Sequence, residues 1–178
     1  MTSTLFKLSL ASTLFCACQT DQYRIDGFAP KLNDGDTVCL VLEDEPQRLL
    51  GITVINEGRF NVTGTTDTTL FCRAYVKKEP DCCISFFLEP SVITLEMNPL
   101  PQPSYVSGTQ LNNSWQQMND SIQLLGTEII MLSKQQHFKD IDSVHRRMSA
   151  LILNTARHNQ GNALGRYIND NYKKTEFK

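Results

Sequence analysis

Leu70–Leu88 reads LFCRAYVKKEPDCCISFFL. In its first half Leu70, Cys72, Ala74 and Val76 fall on one side of an extended chain, and Arg73, Tyr75 and Lys77 fall on the other. Such alternation marks a strand with one buried face, and it places Cys72 on the core side. The second half, CCISFFL, is rich in β-branched and aromatic residues, with Pro80-Asp81 as the expected turn between the two runs. A strand, a turn and a strand make a hairpin, and the flanking sequence repeats the pattern.

Upstream and downstream, YRIDGFA, TVCLVLE, GITVI, RFNVTGT, SVITLEM and SYVSG recur at roughly 8 to 12 residue spacing. Asn33-Asp34-Gly35-Asp36 and Asn56-Glu57-Gly58 supply turn residues that tolerate positive φ. The β region ends at NPLPQP, Asn98 to Pro103, where three prolines stop regular structure. Beyond Gly108 the period changes. Leu111, Trp115, Met118, Ile122, Leu125, Ile129 and Leu132 form one apolar stripe along a helix. A second stripe, Ile141, Val144, Met148, Leu151 and Thr155, starts near Asp140, a candidate cap, after a loop at His137 to Lys139. Leu164, Tyr167 and Ile168 mark a short third helix. The expected fold is mainly β with α: an antiparallel β-sandwich or barrel-like domain over residues 23–108, then a helical hairpin and third helix over 109–174. The first stripe serves either as intramolecular core or as a seam for a protein partner or a second copy.

The N-terminus carries an address. Lys7 precedes an apolar or small run, Leu8 to Phe15, which ends in Cys16-Ala17-Cys18. This layout resembles a bacterial lipobox, with residues 1–17 as signal peptide, Cys18 as lipidation site and 18–22 as a lipid-anchored linker. The small Ala17 before Cys18 favours it over Cys16, which follows bulky Phe15; the usual leucine three residues before the cysteine is Phe15 here. No apolar run approaches the ~20 residues of a spanning helix, so the expected membrane association is through the anchor. The expected location is the cell envelope, at the outer membrane facing the periplasm.

Removing Cys16 and lipidating Cys18 leaves Cys39, Cys72, Cys82 and Cys83 of the six cysteines, which could pair in three ways. Cys39 and Cys72 read as small buried hydrophobes. Cys82 and Cys83 are the candidate disulfide or redox pair, although adjacent strand residues point to opposite faces. No CxxC occurs, so the motif that activates one thiol beside another is missing. His137, His145 and His158 do not form a metal-ligand pattern, and neither metal nor cofactor is expected. A net charge of -2 and a pI near 5.9 exclude nucleic acid as the main partner.

The order YRIDG, NDGDTVCLVL, INEGRFNVTGT, FFLEPSVITLEM, YVSGTQLNNSW and HNQGNALGRYI resembles the small β domain of unknown function at the N-terminus of Gram-negative envelope lipoproteins. In that family a thioredoxin-like domain usually follows, and the whole is described as a thiol-disulfide interchange protein. The resemblance implies a lipoprotein with the accessory domain alone, since the chain stops where the thioredoxin-like half would begin. Pro90 in FFLEP departs from the asparagine-glycine usual there.

Three functions follow as expectations. The first is a non-catalytic envelope lipoprotein that binds a protein through its sandwich and helices. The second is an accessory of thiol-disulfide interchange that acts through exposed thiols at Cys82 and Cys83. The third is a ligand-binding module with an aromatic cleft near Phe86, Phe87 and Tyr105.

Overall fold

A computed structural model describes residues 21–172; the expected signal segment with Cys16, and the lipid site at Cys18, lie outside the described residues. Eight strands come first: β1 (Gln22–Phe28), β2 (Thr37–Leu42), β3 (Leu49–Val54), β4 (Arg59–Thr65), β5 (Leu70–Val76), β6 (Glu79–Leu88), β7 (Val92–Glu96) and β8 (Tyr105–Ser107). Helices α1 (Gln110–Lys134), α2 (Phe138–His158) and α3 (Ala163–Tyr172) follow. The strands form two four-stranded sheets, ordered β4-β1-β7-β8 and β3-β2-β5-β6. Each run read from alternation is a strand, and together they make a sandwich. One pairing departs from the antiparallel expectation. β1 runs parallel to β7, with Arg24 opposite Val92 and Phe28 opposite Glu96. β1 sits inside its sheet, and no hairpin dictates the direction of its β7 neighbour.

Tyr23, Ile25, Ile93 and Leu95 of one sheet meet Leu40, Cys72, Ala74, Ile84 and Phe86 of the other in the core. Two glycines make room for rings. A Cβ on Gly27 would stand 2.2 Å from Cζ of Phe60, and one on Gly64 would stand 2.5 Å from the Tyr23 hydroxyl. Both rings belong to the directly opposite residues of the β1–β4 ladder. Each ring therefore lies across its partner glycine and fills the space over it.

The turn at Glu57-Gly58 has positive φ at both residues, 51° and 67°, as a two-residue hairpin of matching twist requires. The other expected turn is displaced. The chain reverses at Lys77-Lys78, not at Pro80-Asp81, and Pro80 lies within β6. The ladder pairs Val76 with Glu79 and Tyr75 with Cys83, so the residues between form a bulge. β6 is an edge strand, where a bulge and the missing proline N–H are tolerated. Two contacts hold the turn where it is: Lys77 N–H donates to the Thr37 carbonyl at 2.9 Å, and Lys78 Nζ lies 2.9 Å from the Asp36 carboxylate. Asp36 is only 3% exposed. The hydrogen bond from Lys78 holds its carboxyl below the usual range.

Thr109 caps α1, its side chain accepting from Asn112 N–H at 3.2 Å. α2 starts earlier than its stripe indicates, at Phe138 after His137. Asp140 is thus not its cap but an acidic residue of its first turn, where the helix dipole favours negative charge. α1 and α3 add a third layer outside the second sheet. Phe71 stacks with Phe87, Trp115 and Tyr167 at centroid distances of 4.9, 5.4 and 4.3 Å. Gly165 is indispensable to the α2–α3 turn, because a Cβ there would meet the Asn159 carbonyl oxygen at 2.0 Å.

Candidate functional site

The first two turns of α1 hold the most specific polar geometry of the molecule. The Asn112 side chain is fully buried. Its Oδ1 accepts the Phe87 N–H at 2.8 Å and its Nδ2 donates to the Phe87 carbonyl at 2.8 Å. These are the two bonds that a residue of a neighbouring strand would make. Two residues along the same edge, Trp115 Nε1 donates to the Ser85 carbonyl at 2.8 Å. On the other sheet, Gln116 Oε1 accepts the Val106 N–H at 2.8 Å. β6 and β8 are the last strands of their sheets, so one helix closes an edge of each.

Beside this seal lies a shallow pocket of about 260 Å³, lined by Cys83, Ser85, Ser104, Gln116, Asn119 and Asp120 among others. Cys82 and Cys83 take opposite faces. Cys82 is buried in the core and its Sγ lies 3.2 Å from the Asn98 carbonyl that accepts its proton. Burial pushes its thiol up to about 11. Cys83 is half-buried; burial also raises its pKa, partly opposed by the Arg73 guanidinium. Cys72 is pushed up to about 12, by burial first and by the Glu43 carboxylate second. All four cysteines among the described residues are free thiols. Raised thiols are poor nucleophiles at neutral pH.

Glu43 organises the outer face of the same sheet. It accepts from the Arg73 guanidinium and from Ser85 Oγ at 2.7 Å. Phe86 and Phe87 are buried, while Tyr105 is 40% exposed on β8. The three rings therefore do not form the expected cleft. His137 pairs with Asp140 at 3.8 Å, His158 Nδ1 lies 2.8 Å from the Asn154 carbonyl, and His145 is half-buried on α2. No group of three or more His, Cys, Asp or Glu among the described residues is placed to hold a metal ion.

The apolar stripe divides. Leu111, Trp115 and Met118 are buried against the sandwich, and Ile122 packs at the margin of the core. Leu125, Ile129 and Leu132 are only half-buried. Along this distal part α2 supplies Ile141, Val144 and Met148, and Arg147 binds Glu128 through Nη1 at 3.1 Å. Leu124, Ile130, Met131, Phe138 and Leu153 are half to three-quarters exposed.

Sequence reasoning missed Asn112 and Gln116, which look like solvated polar residues in QLNNSWQQ. Their one signal is spacing: Asn112, Trp115 and Gln116 lie three and four apart, on one side of the helix. It also missed Asn98 in the proline-rich segment. That side chain is 3% exposed and donates to the Pro103 carbonyl at 2.9 Å and to Glu96 at 3.1 Å.

Residues 23–115 match the model of a family described as a domain of unknown function (DUF4369). No curated protein matches the chain. The matched region ends at Trp115, so it takes in the whole sandwich and the first closing side chains of α1 and stops before the hairpin.

Proposed function

The chain belongs to the DUF4369 family of domains of unknown function, and we propose that it is a non-catalytic protein-interaction module of the bacterial cell envelope, held at the outer membrane by a lipid on Cys18. The observation that carries this reading is the distal hairpin. Two helices extend beyond the sandwich with a half-buried seam and with Leu124, Ile130, Met131 and Phe138 more than half exposed. Leu124 and Met131, seven residues apart, share one side of α1, and exposed apolar surface of this kind is a usual mark of a binding face.

The envelope placement rests on the N-terminal pattern of Lys7, the short apolar run and Ala17-Cys18. No helix among the described residues is long and apolar enough to cross a membrane. The partner that the resemblance implies for such a module is a thioredoxin-like domain. A direct role for Cys82 and Cys83 in thiol exchange has less support, because burial opposes the thiolate at both.

A photo-reactive residue placed at Met131 of the full chain in a bacterial host tests the reading. The expected result is a discrete covalent adduct. Absence of adducts at Leu124, Met131 and Phe138 alike would overturn it. Cys18→Ser tests the anchor separately, and is expected to move the protein from the membrane to the soluble fraction.

A further inference from the structure

The seal that α1 makes along β6 stops halfway. Asn112 takes the N–H and the carbonyl of Phe87, and Trp115 takes the carbonyl of Ser85. Because Phe87 turns both of its backbone groups toward the helix, the alternate residues Ser85 and Cys83 turn theirs the same way, away from β5. The Ser85 N–H and both backbone groups of Cys83 therefore face the space beyond Trp115, where no partner among the described residues meets them.

Asn119 lies seven residues after Asn112, two turns on, and so comes up on the same side of α1. The helix offers Asn112, Trp115 and Asn119 in the order in which the strand offers Phe87, Ser85 and Cys83. At the third step the pairing is not made. Asn119 and Cys83 line one cavity of about 260 Å³ between helix and strand, and the Asn119 carboxamide has no partner among the described residues.

The unmet groups on the two walls define what fits between them. β6 offers N–H and C=O groups at a strand's repeat of about 6.8 Å for two residues, and Asn119 offers a carboxamide that both donates and accepts. An extended peptide carries donors and acceptors on both of its edges and satisfies both walls; an acyl chain or an aromatic ring satisfies neither. Charge narrows the choice. Asp120 is the one charged residue among those that line the cavity. Glu79 and Asp81 are exposed along β6 beyond Cys83, and the Arg73 guanidinium on the same sheet face is held by Glu43.

We infer that this groove binds an extended cationic segment of another protein, which adds a short strand to β6 at Cys83 and Ser85 and brings a Lys or Arg side chain to Asp120. The cavity lies just under the roughly 300 Å³ of the smallest drug-sized sites, which suits a stretch of a few residues. The site is separate from the distal hairpin and does not rest on the reading given for it.

The probe is the acetylated and amidated pentapeptide Val-Lys-Val-Lys-Val, titrated into the isotope-labelled full chain in detergent and followed by amide NMR. The Cys83 and Ser85 N–H signals and the Asn119 carboxamide are expected to shift together as one site fills. Asn119→Ala breaks no bond of the fold and is expected to weaken binding about tenfold. Asp120→Asn keeps an acceptor for Gln116 and is expected to weaken it about threefold. Cys83→Pro removes an N–H that an edge strand can spare, and is expected to abolish binding. Where that variant does not fold, the peptide N-methylated at its three central residues makes the same test on the unaltered chain, and is expected not to bind. Equal binding of the N-methylated peptide, of Val-Glu-Val-Glu-Val, or of the lysine peptide to Asn119→Ala overturns the inference. So does the absence of shifts at Cys83 and Ser85 with about 1 mM peptide, the weak end of specific affinity. Shifts confined to Leu124, Met131 and Phe138 overturn it too and put the peptide on the distal hairpin, whose own reading is decided separately by the adducts at Met131.

Discussion

The two ends of α1 share one apolar period and have opposite fates. At the N-terminal end Leu111, Trp115 and Met118 are buried, and Asn112, Trp115 and Gln116 bind named backbone groups of β6 and β8. At the C-terminal end the same spacing puts Leu125, Ile129 and Leu132 against α2 alone, half-buried, beside the exposed Leu124, Ile130 and Met131. Periodicity forms the helix in both places. What separates them is polar specificity: the first end is fixed to one surface by directional bonds, and the second has apolar area without a dictated neighbour. A stripe therefore announces that something is covered and leaves open what covers it.

Trp115→Ala probes the fixed end hardest. It removes the ring from Phe71, Phe87 and Tyr167 and leaves the Ser85 carbonyl without its donor. The expected cost in denaturant melts is about 3–5 kcal/mol. Asn112→Leu keeps the approximate volume and strands both the N–H and the carbonyl of Phe87, for about 2–4 kcal/mol. If either variant melts like the wild type, the contrast between the two ends fails.

pH separates the sandwich from the hairpin as well. The folded state holds the Cys72 proton until about pH 12, whereas the ordinary thiol value is 9.0. A raised folded pKa stabilises fully below the unfolded value, so the contribution declines as pH rises from about 9 toward 12. The slope is about 1.4 kcal/mol per pH unit, or roughly 3 kcal/mol by pH 11. Unfolding measured at pH 8 and pH 11 should show this loss, and Cys72→Ala should make it shallower, with the raised Cys82 thiol supplying part of what remains. Asp36 works in the other direction: its folded pKa is lowered, so its contribution holds above the ordinary carboxyl value and is lost as pH falls through the folded one.

The distal end should respond least. Gly126→Ala meets no neighbour and is expected to stabilise the full chain by about 0.5–1 kcal/mol in denaturant melts. Leu124→Ala, at a 71% exposed position, should stay within about 0.5 kcal/mol. A larger loss for Leu124→Ala would show that this exposed flank is covered in solution.

What could be read from the residues was local. Alternation lies in adjacent positions, so all eight strand runs, the buried Cys72 and the three helices followed from the sequence. The pairing of β1 with β7 did not, because strand neighbours distant in sequence leave no mark in either strand. The Lys77-Lys78 turn escaped because Lys78 reaches a carboxylate at Asp36, far upstream, while Pro80 only looks like a turn former. Phe87 stands with Phe86 and Tyr105 in the expected cleft, and the ladder puts it on the outer face of its sheet. The aromatic layer from α1 and α3 covers that face. Asn112 was invisible for the same reason as β7: its partners are backbone atoms, which every residue has.

The seal also has a place in time. Every strand it closes is complete by Ser107, and the side chains that close them come only at Asn112, Trp115 and Gln116. A chain emerging N-terminus first thus passes through a stage with all its β structure and two bare edges, ready to pair with any other chain at the same stage. The few residues between Ser107 and Gln116 are the interval of greatest exposure. A break or stall there would leave a molecule that has nearly everything it needs to fold and lacks only what keeps it from its own kind.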